Sequence, residues 1–158
     1  MTARNSRKEQ GKRPRRAIVG TPPGTSQPEN MTHILIVDDS PTIRRMVRAS
    51  LSSLAAPEFV EAGSGLEAIE RLALTPVQLI VLDLNMPDMH GLEVLTFLRS
   101  QQKYRSLPIV VLTTRGDDAS RQAALRAGAS AFMTKPFTPQ ALAEQAHSLL
   151  ASTPSGRA

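Results

Sequence analysis

The chain has no cysteine and no tryptophan, and only one tyrosine and four phenylalanines among its 158 residues. Without cysteine there is no disulfide framework and no thiol chemistry. Because aromatic residues are scarce, a folded core must be built from aliphatic side chains. No apolar run approaches the roughly 20 residues that cross a bilayer. The basic N-terminus is not followed by the apolar stretch of a secretory signal, so we expect a cytoplasmic protein.

Positive charge is concentrated at the N-terminus. Residues 1–30 carry seven Lys or Arg and two Glu, so this segment alone accounts for the net charge of +5. Its Pro, Gly, Ser and Thr content, without hydrophobic periodicity, predicts a disordered basic tail. Such an arm could touch nucleic acid, but it lacks aromatic residues and a helical charge stripe, so we expect no nucleic-acid partner. Alternatively, the protein starts at Met31, because the predicted ordered sequence begins at His33.

Residues 31–151 alternate between two kinds of segment. Short apolar runs predict strands at 33–37, 59–60, 108–113 and 131–134, and a central strand within 77–87 that ends in Asp83. Between them, and after the last, lie amphipathic segments that predict five helices. This alternation predicts an α/β domain, a doubly wound parallel sheet with helices on both faces joined by right-handed crossovers. Residues 152–158 are expected to form a short disordered C-terminal tail.

Capping signals mark the predicted helix ends. Ser40 with Pro41, Ser64 with Glu67, and Thr138 with Pro139 are typical helix starts. Gly91 begins the third helix, Asp117 and Asp118 lie at the start of the fourth, and Gly128 ends it. Helical spacing predicts which side chains of the first two helices point inward: Ile43, Met46, Val47, Ser50, Leu51 and Leu54, then Leu66, Ile69, Leu72 and Ala73.

Asp83 lies at the end of the most apolar strand. Leu79–Leu82 and Leu84 surround this single carboxylate, and a run that is apolar on both faces is typical of a central parallel strand. A lone Asp is costly there unless the charge is used. Ligands of open α/β sheets bind at the carboxyl ends of the strands. A turn-initiating Asp before Asn-Met-Pro-Asp is the alternative that this stretch alone leaves open.

Polar residues also end or follow the first, fourth and fifth predicted strands. Asp38 and Asp39 follow the first, Thr113 ends the fourth, and Lys135 follows the fifth. Three carboxylates in one cleft repel one another, and a hard divalent cation such as Mg²⁺ removes that repulsion. A carboxylate beside Mg²⁺, an ammonium and a hydroxyl is suited to phosphoryl transfer. No glycine-rich phosphate loop is present, which excludes nucleotide hydrolysis by a P-loop.

Simpler interpretations of these residues stay open. Asp38 and Asp39 could only cap the first helix, although Ser40 already serves as its cap. Thr113 could be an ordinary strand end, and Lys135 a solvated lysine. A Mg²⁺-dependent phosphatase is a rival function, but it requires a second Asp two residues after the nucleophile, where this chain has Asn85.

Four short motifs, one at the end of each of the first, third, fourth and fifth predicted strands, resemble those of a known family. Val37-Asp38-Asp39-Ser40, Leu82-Asp83-Leu84-Asn85-Met86-Pro87, Leu112-Thr113-Thr114 and Lys135-Pro136-Phe137 stand in order across residues 32–151. Together they resemble the receiver domain of bacterial two-component response regulators, in its stand-alone chemotaxis (CheY-like) form. The resemblance implies a flavodoxin-like fold with strand order 2-1-3-4-5.

The resemblance also implies roles for single residues. Asp83 matches the phosphoacceptor, Thr113 and Lys135 match the hydroxyl and the lysine that contact the phosphoryl group, and Lys135-Pro136 matches a cis peptide. Asp38 and Asp39 match the acidic pair that holds Mg²⁺ together with Asp83 and the backbone carbonyl of Asn85. Phe132 matches the aromatic switch residue, which is Tyr in the chemotaxis prototype.

The expected function is that of a switch rather than an enzyme. A sensor histidine kinase would donate the phosphoryl group, and the chain would catalyse its own phosphotransfer and dephosphorylation. The phosphorylated chain would then signal to a protein target through the face formed by the fourth helix, fifth strand and fifth helix, with Arg121, Arg126, Ala131, Phe132 and Lys135. Arg115 is expected to shield the phosphoryl group from water.

Overall fold

The computed structural model describes residues 31–153, and the predicted tails at 1–30 and beyond Thr153 lie outside this range. Strands and helices alternate, with one 3₁₀ turn at Gln102–Tyr104. The strands are β1 (Thr32–Val37), β2 (Pro57–Ala62), β3 (Leu79–Asp83), β4 (Ile109–Thr113) and β5 (Ala131–Thr134). The helices are α1 (Pro41–Ser50), α2 (Gly65–Leu74), α3 (Gly91–Ser100), α4 (Asp118–Arg126) and α5 (Pro139–Ser152). None of these helices combines the length and the apolar character needed to cross a membrane.

The five strands form one parallel sheet in the order β2-β1-β3-β4-β5, which confirms the predicted fold. The central strands β3 and β4 are buried along their whole length. Val37 pairs with Leu82, Asp83 with Leu112, and Thr113 with Thr134. Since all strands run the same way, their carboxyl ends share one edge, and the polar residues that follow them are neighbours.

Aliphatic side chains cover both faces of the sheet. On one face, Val47 and Leu51 at the end of α1, with Leu142 and Ala146 of α5, pack on Ile34, Ile36, Leu79, Val81, Val110 and Leu112. On the other, α2, α3 and α4 pack on Leu35, Val37, Ile80, Leu82, Ile109 and Val111. Burying these side chains, at roughly 25 cal/mol per Å² of apolar surface, supplies the main stabilising term. The two layers are aliphatic, as the shortage of aromatic residues predicts.

Most helix ends form as the caps predict. The Ser40 and Ser64 hydroxyls accept from the amides of Ile43 and Glu67, and Glu67 Oε2 accepts from the Gly63 amide in return. The two hydroxyl groups satisfy amide groups that the helices themselves leave free, whereas the Glu67 bond reaches Gly63, one residue before the N-cap. Gly128, with φ of 106°, follows α4 in the left-handed conformation that glycine adopts without strain.

Gly91 brings α3 against the end of β3. Its amide donates to the Leu84 carbonyl at 2.9 Å. A β-carbon at position 91 would overlap the backbone carbonyl of Asp83 and the Leu84 backbone. Only glycine therefore allows this helix to begin so close to the strand that carries Asp83.

Several local predictions need correction. Met46 and Leu66 are 42% and 59% exposed, and Ala73 is exposed as well, so the expectation that they point into the core is wrong. In α2 the buried positions are Gly65, Ala68 and Leu72, a face rotated from the predicted one. The second strand is longer than 59–60, and α5 continues to Ser152, one residue past the predicted domain boundary.

Candidate functional site

Three carboxylates meet at the carboxyl edge of the sheet. Asp38 and Asp39 follow β1, and Asp83 is the last residue of β3. Asp38 is 2% exposed and Asp83 is 4% exposed, whereas Asp39 is open to solvent. One oxygen of each carboxylate lies within 4.8 Å of the others. The structure thus brings together the acidic residues that the sequence predicts to be neighbours.

Lys135 lies within the same cluster. Its Nζ atom is 2.6 Å from Asp38 Oδ2 and 3.3 Å from Asp83 Oδ1, and its side chain is 12% exposed. The Lys135–Pro136 peptide is cis, as the resemblance implies. The lysine is therefore not an ordinary solvated side chain. It partly offsets the repulsion between the two buried carboxylates.

The environment of Asp83 disfavours its charged form. Burial is the largest influence and raises the pKa of this carboxyl above its ordinary value, and the negative charge of Asp38 acts in the same direction. The Asn85 amide, which donates to Asp83 Oδ1 at 3.1 Å, and the Lys135 ammonium act in the opposite direction and lower the pKa. A further positive charge in the cluster would stabilise the carboxylate form.

Thr113 ends the neighbouring strand and is 1% exposed. Its carbonyl accepts from the Lys135 amide at 2.8 Å, so the ends of β4 and β5 are joined beside the carboxylates. Its hydroxyl oxygen accepts from the Arg115 amide at 3.1 Å. Both residues that were predicted to contact a phosphoryl group thus lie at the same edge as Asp83.

The side chain of Asn85 is a part of the site that the sequence did not reveal. Its Nδ2 atom donates to Thr113 Oγ1 at 3.1 Å and reaches Thr114 Oγ1 at 3.4 Å. The resemblance gives the backbone carbonyl of Asn85 a role as metal ligand and places residue 85 at a position that tunes the phosphoryl lifetime, but it does not predict this side-chain bond. An Asn two residues after Asp83 has no sequence signal for this bond, since it depends on the turn between β3 and α3.

A cleft opens above the carboxylates and has an apolar wall. Ile43 and Met46 of α1 and Phe137 line it together with Asp38, Asp39, Asp83, Asn85, Thr114 and Lys135. Met46 is exposed because it faces this cleft rather than the core. Arg44, also missed from the sequence, donates from Nη1 to the Asp38 carbonyl at 2.6 Å and holds the β1–α1 turn.

The donor set of this cleft fits a hard divalent cation. Three carboxylates offer oxygen ligands within reach of one point, and Mg²⁺ completes its octahedral shell with waters and carbonyl groups. One of the carboxylates, Asp39, is exposed, which leaves a route for a hydrated ion. The Lys135 ammonium contacts Asp38 and Asp83 oxygens. A bound cation would therefore share these carboxylates with the lysine.

Other predicted residues lie outside the cleft. Phe132 is half-buried on β5 and packs against the apolar layer beneath α2, α3 and α4. Arg115 is exposed in the loop after β4, and Arg121 and Arg126 are exposed on α4. Phe132, Arg121 and Arg126 thus lie on the predicted output face, whereas Arg115, predicted to shield the phosphoryl group, follows Thr113 by two residues.

Comparison with known proteins agrees with this geometry. Residues 34–147 match the response regulator receiver domain. The chain is 41% identical to the chemotaxis protein CheY1 of Helicobacter pylori over 113 residues, which are 71% of this chain and 91% of that protein. The structure of chemotaxis protein CheY4 of Vibrio cholerae matches with a TM-score of 0.70 and 34% identity, covering 75% of this chain and 98% of the other.

A third similar protein is known with a metal ion. The Mn²⁺-bound form of response regulator Rcp1 matches with a TM-score of 0.68 and 26% identity, covering 78% of this chain and 97% of that chain. The matched residues include every strand end that builds the cleft, from Asp38 to Lys135. The resemblance that the four motifs carry is therefore confirmed, and the chain belongs to the response regulator receiver domain family.

Proposed function

We propose that Asp83 accepts a phosphoryl group from a phosphohistidine of a sensor histidine kinase and that the chain then signals to a protein target in a chemotaxis-type relay. Membership of the receiver domain family and similarity to CheY proteins support this proposal. The observation that carries it is the clustering of Asp38, Asp39, Asp83 and Lys135 at one edge of the sheet.

The transfer is a substitution at phosphorus. Asp83 Oδ1 is held by the Asn85 amide and by Lys135, so we assign Oδ2 as the attacking oxygen. A bond forms between Oδ2 and phosphorus while the bond from phosphorus to the histidine nitrogen breaks. The electron pair of that bond returns to the ring nitrogen, and a phosphohistidine that carries a proton on its other ring nitrogen leaves as neutral imidazole. The product is an acyl phosphate on Asp83.

Asp38, Asp39, Asp83 and the Asn85 carbonyl are the groups that would hold Mg²⁺. When bound, the ion supplies positive charge next to the phosphoryl oxygens and offsets repulsion from the carboxylates. Lys135 contributes a second positive charge, and the Thr113 hydroxyl can donate to a phosphoryl oxygen. The phosphoryl group adds up to about two negative charges, so Lys135 is drawn from Asp38 toward it.

Movement of Lys135 and Thr113 is expected to reach the output face. Lys135 follows β5 directly, and its amide is bonded to the Thr113 carbonyl, so the two strand ends must shift together. Phe132, three residues earlier, then moves inward by packing alone, because phenylalanine has no hydroxyl for a hydrogen bond. The face formed by α4, β5 and α5 is where we expect the protein target to bind.

Phosphoryl uptake by named variants tests the proposal. Transfer of radiolabel from acetyl phosphate, or from a phosphorylated kinase, should require Mg²⁺ and should disappear in Asp83→Asn. Asp88→Asn is the matched control, because Asp88 is an exposed carboxylate of the same loop that holds the amides of Gly65 and Leu66. Label that persists in Asp83→Asn, or that disappears equally in both variants, would contradict the assignment of Asp83.

The rival phosphatase is disfavoured by the same geometry. A phosphatase of this type needs a general acid two residues after the nucleophile. Asn85 occupies that position and has no proton to exchange at neutral pH, and its amide group already donates to Thr113 Oγ1. Steady turnover of a small phosphoester by the purified chain, at rates above those of acyl phosphate decay, would reverse this conclusion.

A further inference from the structure

The hydroxyl group of Thr113 receives two hydrogen bonds from its surroundings. Asn85 Nδ2 and the Arg115 amide each donate to Oγ1 at 3.1 Å. The two donors come from different elements, the turn after β3 and the turn after β4. Thr113 is 1% exposed, so solvent does not compete for these positions.

A threonine hydroxyl has two acceptor lone pairs and one hydrogen to donate. Two N–H donors on Oγ1 engage both lone pairs. The hydrogen is then the only hydrogen-bonding capacity that the group has left. A buried hydroxyl whose two lone pairs are both engaged is stabilised by an acceptor for its hydrogen. It cannot accept from a third donor.

We propose that the Asn85 side chain is a positioning residue that fixes Thr113 as a hydrogen-bond donor before the phosphoryl group arrives. This inference rests on the proposed function, because the acceptor for the Thr113 hydroxyl is an oxygen of a phosphoryl group on Asp83. Phosphoryl oxygens only accept at neutral pH, so the hydroxyl can donate its remaining hydrogen to one of them without first giving up another acceptor.

The role differs from that of the Asn85 backbone. The carbonyl of residue 85 is a proposed metal ligand and survives any side-chain substitution, whereas the amide group acts only through Thr113. The second contact of that group, to Thr114 Oγ1, is longer at 3.4 Å and lies at an exposed residue. The effect of removing the amide should therefore depend on the presence of the Thr113 hydroxyl.

A double-mutant cycle on the full chain separates this role from a structural one. Asn85→Ala and Asn85→Leu remove the amide, Thr113→Val removes the hydroxyl and keeps its shape, and the two double variants complete the cycle. For each protein, the affinity for beryllofluoride, a phosphoryl mimic, is measured in saturating Mg²⁺ by isothermal titration calorimetry. The affinity for Mg²⁺ alone is measured in the same way, and circular dichroism checks folding.

The expected result is a loss of about five- to tenfold in beryllofluoride affinity for either Asn85 variant, the size of one hydrogen bond. In the Thr113→Val background the same substitutions should change the affinity less than about twofold, because coupled residues are not additive. Affinity for Mg²⁺ alone should be the same in Asn85→Ala as in the unsubstituted chain.

Equal losses in both backgrounds, or no loss in either, would overturn the proposal, as would an effect that follows a change in Mg²⁺ affinity. These outcomes would leave the proposed function standing, provided that the unsubstituted chain binds beryllofluoride and Asp83→Asn does not. A chain that bound neither the mimic nor a phosphoryl group from acetyl phosphate would overturn both.

Discussion

The central strands and the edge strand β5 contribute to the same site in different ways. Every residue of β3 and β4 is buried, and these strands carry Asp83 and Thr113 at their ends. In β5 the first three residues are only partly buried and Thr134 is exposed, and this strand leads into Lys135. β5 has one neighbouring strand, whereas β3 and β4 each have two.

The difference shows that Asp83 lies on a more buried strand than the one that carries Phe132 and leads into Lys135. Asp83, the proposed phosphoacceptor, is held in place by a strand that is packed on both faces of the sheet. Lys135 and Phe132, which we propose respond to the phosphoryl group, lie on or directly after a strand with a single neighbour, where the free energy of local opening is smaller. The contrast can be tested through stability, metal binding and phosphoryl lifetime.

The largest effect is expected from truncation in the central strand. Leu82→Ala should lower the free energy of unfolding by about 3–5 kcal/mol, because Leu82 is fully buried beside Asp83. Phe132→Ala removes a larger side chain from the same apolar layer, yet should lower it by only about half as much, since Phe132 is half-buried. Urea denaturation of both variants measures the two losses of unfolding free energy. Equal losses would contradict the inference that β5 is less tightly packed than β3.

Lys135→Met should have the next largest effect. In buffer with EDTA, loss of the ammonium leaves Asp38 and Asp83 unpaired, and the free energy of unfolding should fall by about 2 kcal/mol. Mg²⁺ should restore more stability in this variant than in the unsubstituted chain, because the ion no longer shares the carboxylates with a lysine. Thermal denaturation with and without Mg²⁺ gives both values; an equal gain in the two proteins would show that Lys135 does not compete with the ion.

Asp83→Asn should stabilise the metal-free protein by roughly 1 kcal/mol at neutral pH, since a buried charge is removed. The folded pKa of Asp83 is raised above its unfolded value, so this carboxyl destabilises the fold above the unfolded pKa of about 3.9 and stops doing so as the pH falls below it. The difference in the free energy of unfolding between Asp83→Asn and the unsubstituted chain should therefore be present at pH 7 and shrink toward pH 4. Urea denaturation in EDTA at the two pH values measures this difference. A difference that increased on acidification would contradict a raised pKa of Asp83 in the folded protein.

The smallest effect is expected from Arg115→Ala. If the exposed arginine shields the phosphoryl group from water, its removal should speed dephosphorylation a few-fold without changing stability. Arg121→Ala is a suitable control, since Arg121 is an exposed arginine of α4 away from the site. Decay of radiolabelled protein after removal of the donor measures the lifetime, and an unchanged lifetime would remove this role for Arg115.

The sequence predicted the fold and the acidic cluster well because both depend on local patterns. Apolar runs and caps such as Ser40 and Ser64 located the strands and helix starts, and parallel strands necessarily place Asp38 and Asp83 at one edge. The strand order 2-1-3-4-5 came from the resemblance, since alternation of strands and helices alone does not determine which strands are neighbours.

Other features could not be read from the sequence. Met46 fits the apolar stripe of α1, but whether it faces the core or the cleft depends on how α1 sits on the sheet. Leu66 fits the stripe of α2 equally well, although Ala68 is the residue buried in the core and Gly65 lies against Met89 and Val94 of the neighbouring α3 region. The bond from Asn85 to Thr113 joins two turns that lie 28 residues apart in the chain.

The bare α-carbon of Gly91 has a mechanical consequence for signalling. With no side chain between them, the first turn of α3 rests on the carbonyl group of Asp83, and its amide is bonded to Leu84. A methyl group at this position would act as a wedge that drives the helix away from the strand. We therefore expect any shift of the Asp83 backbone on phosphorylation to displace the first turn of α3 as well.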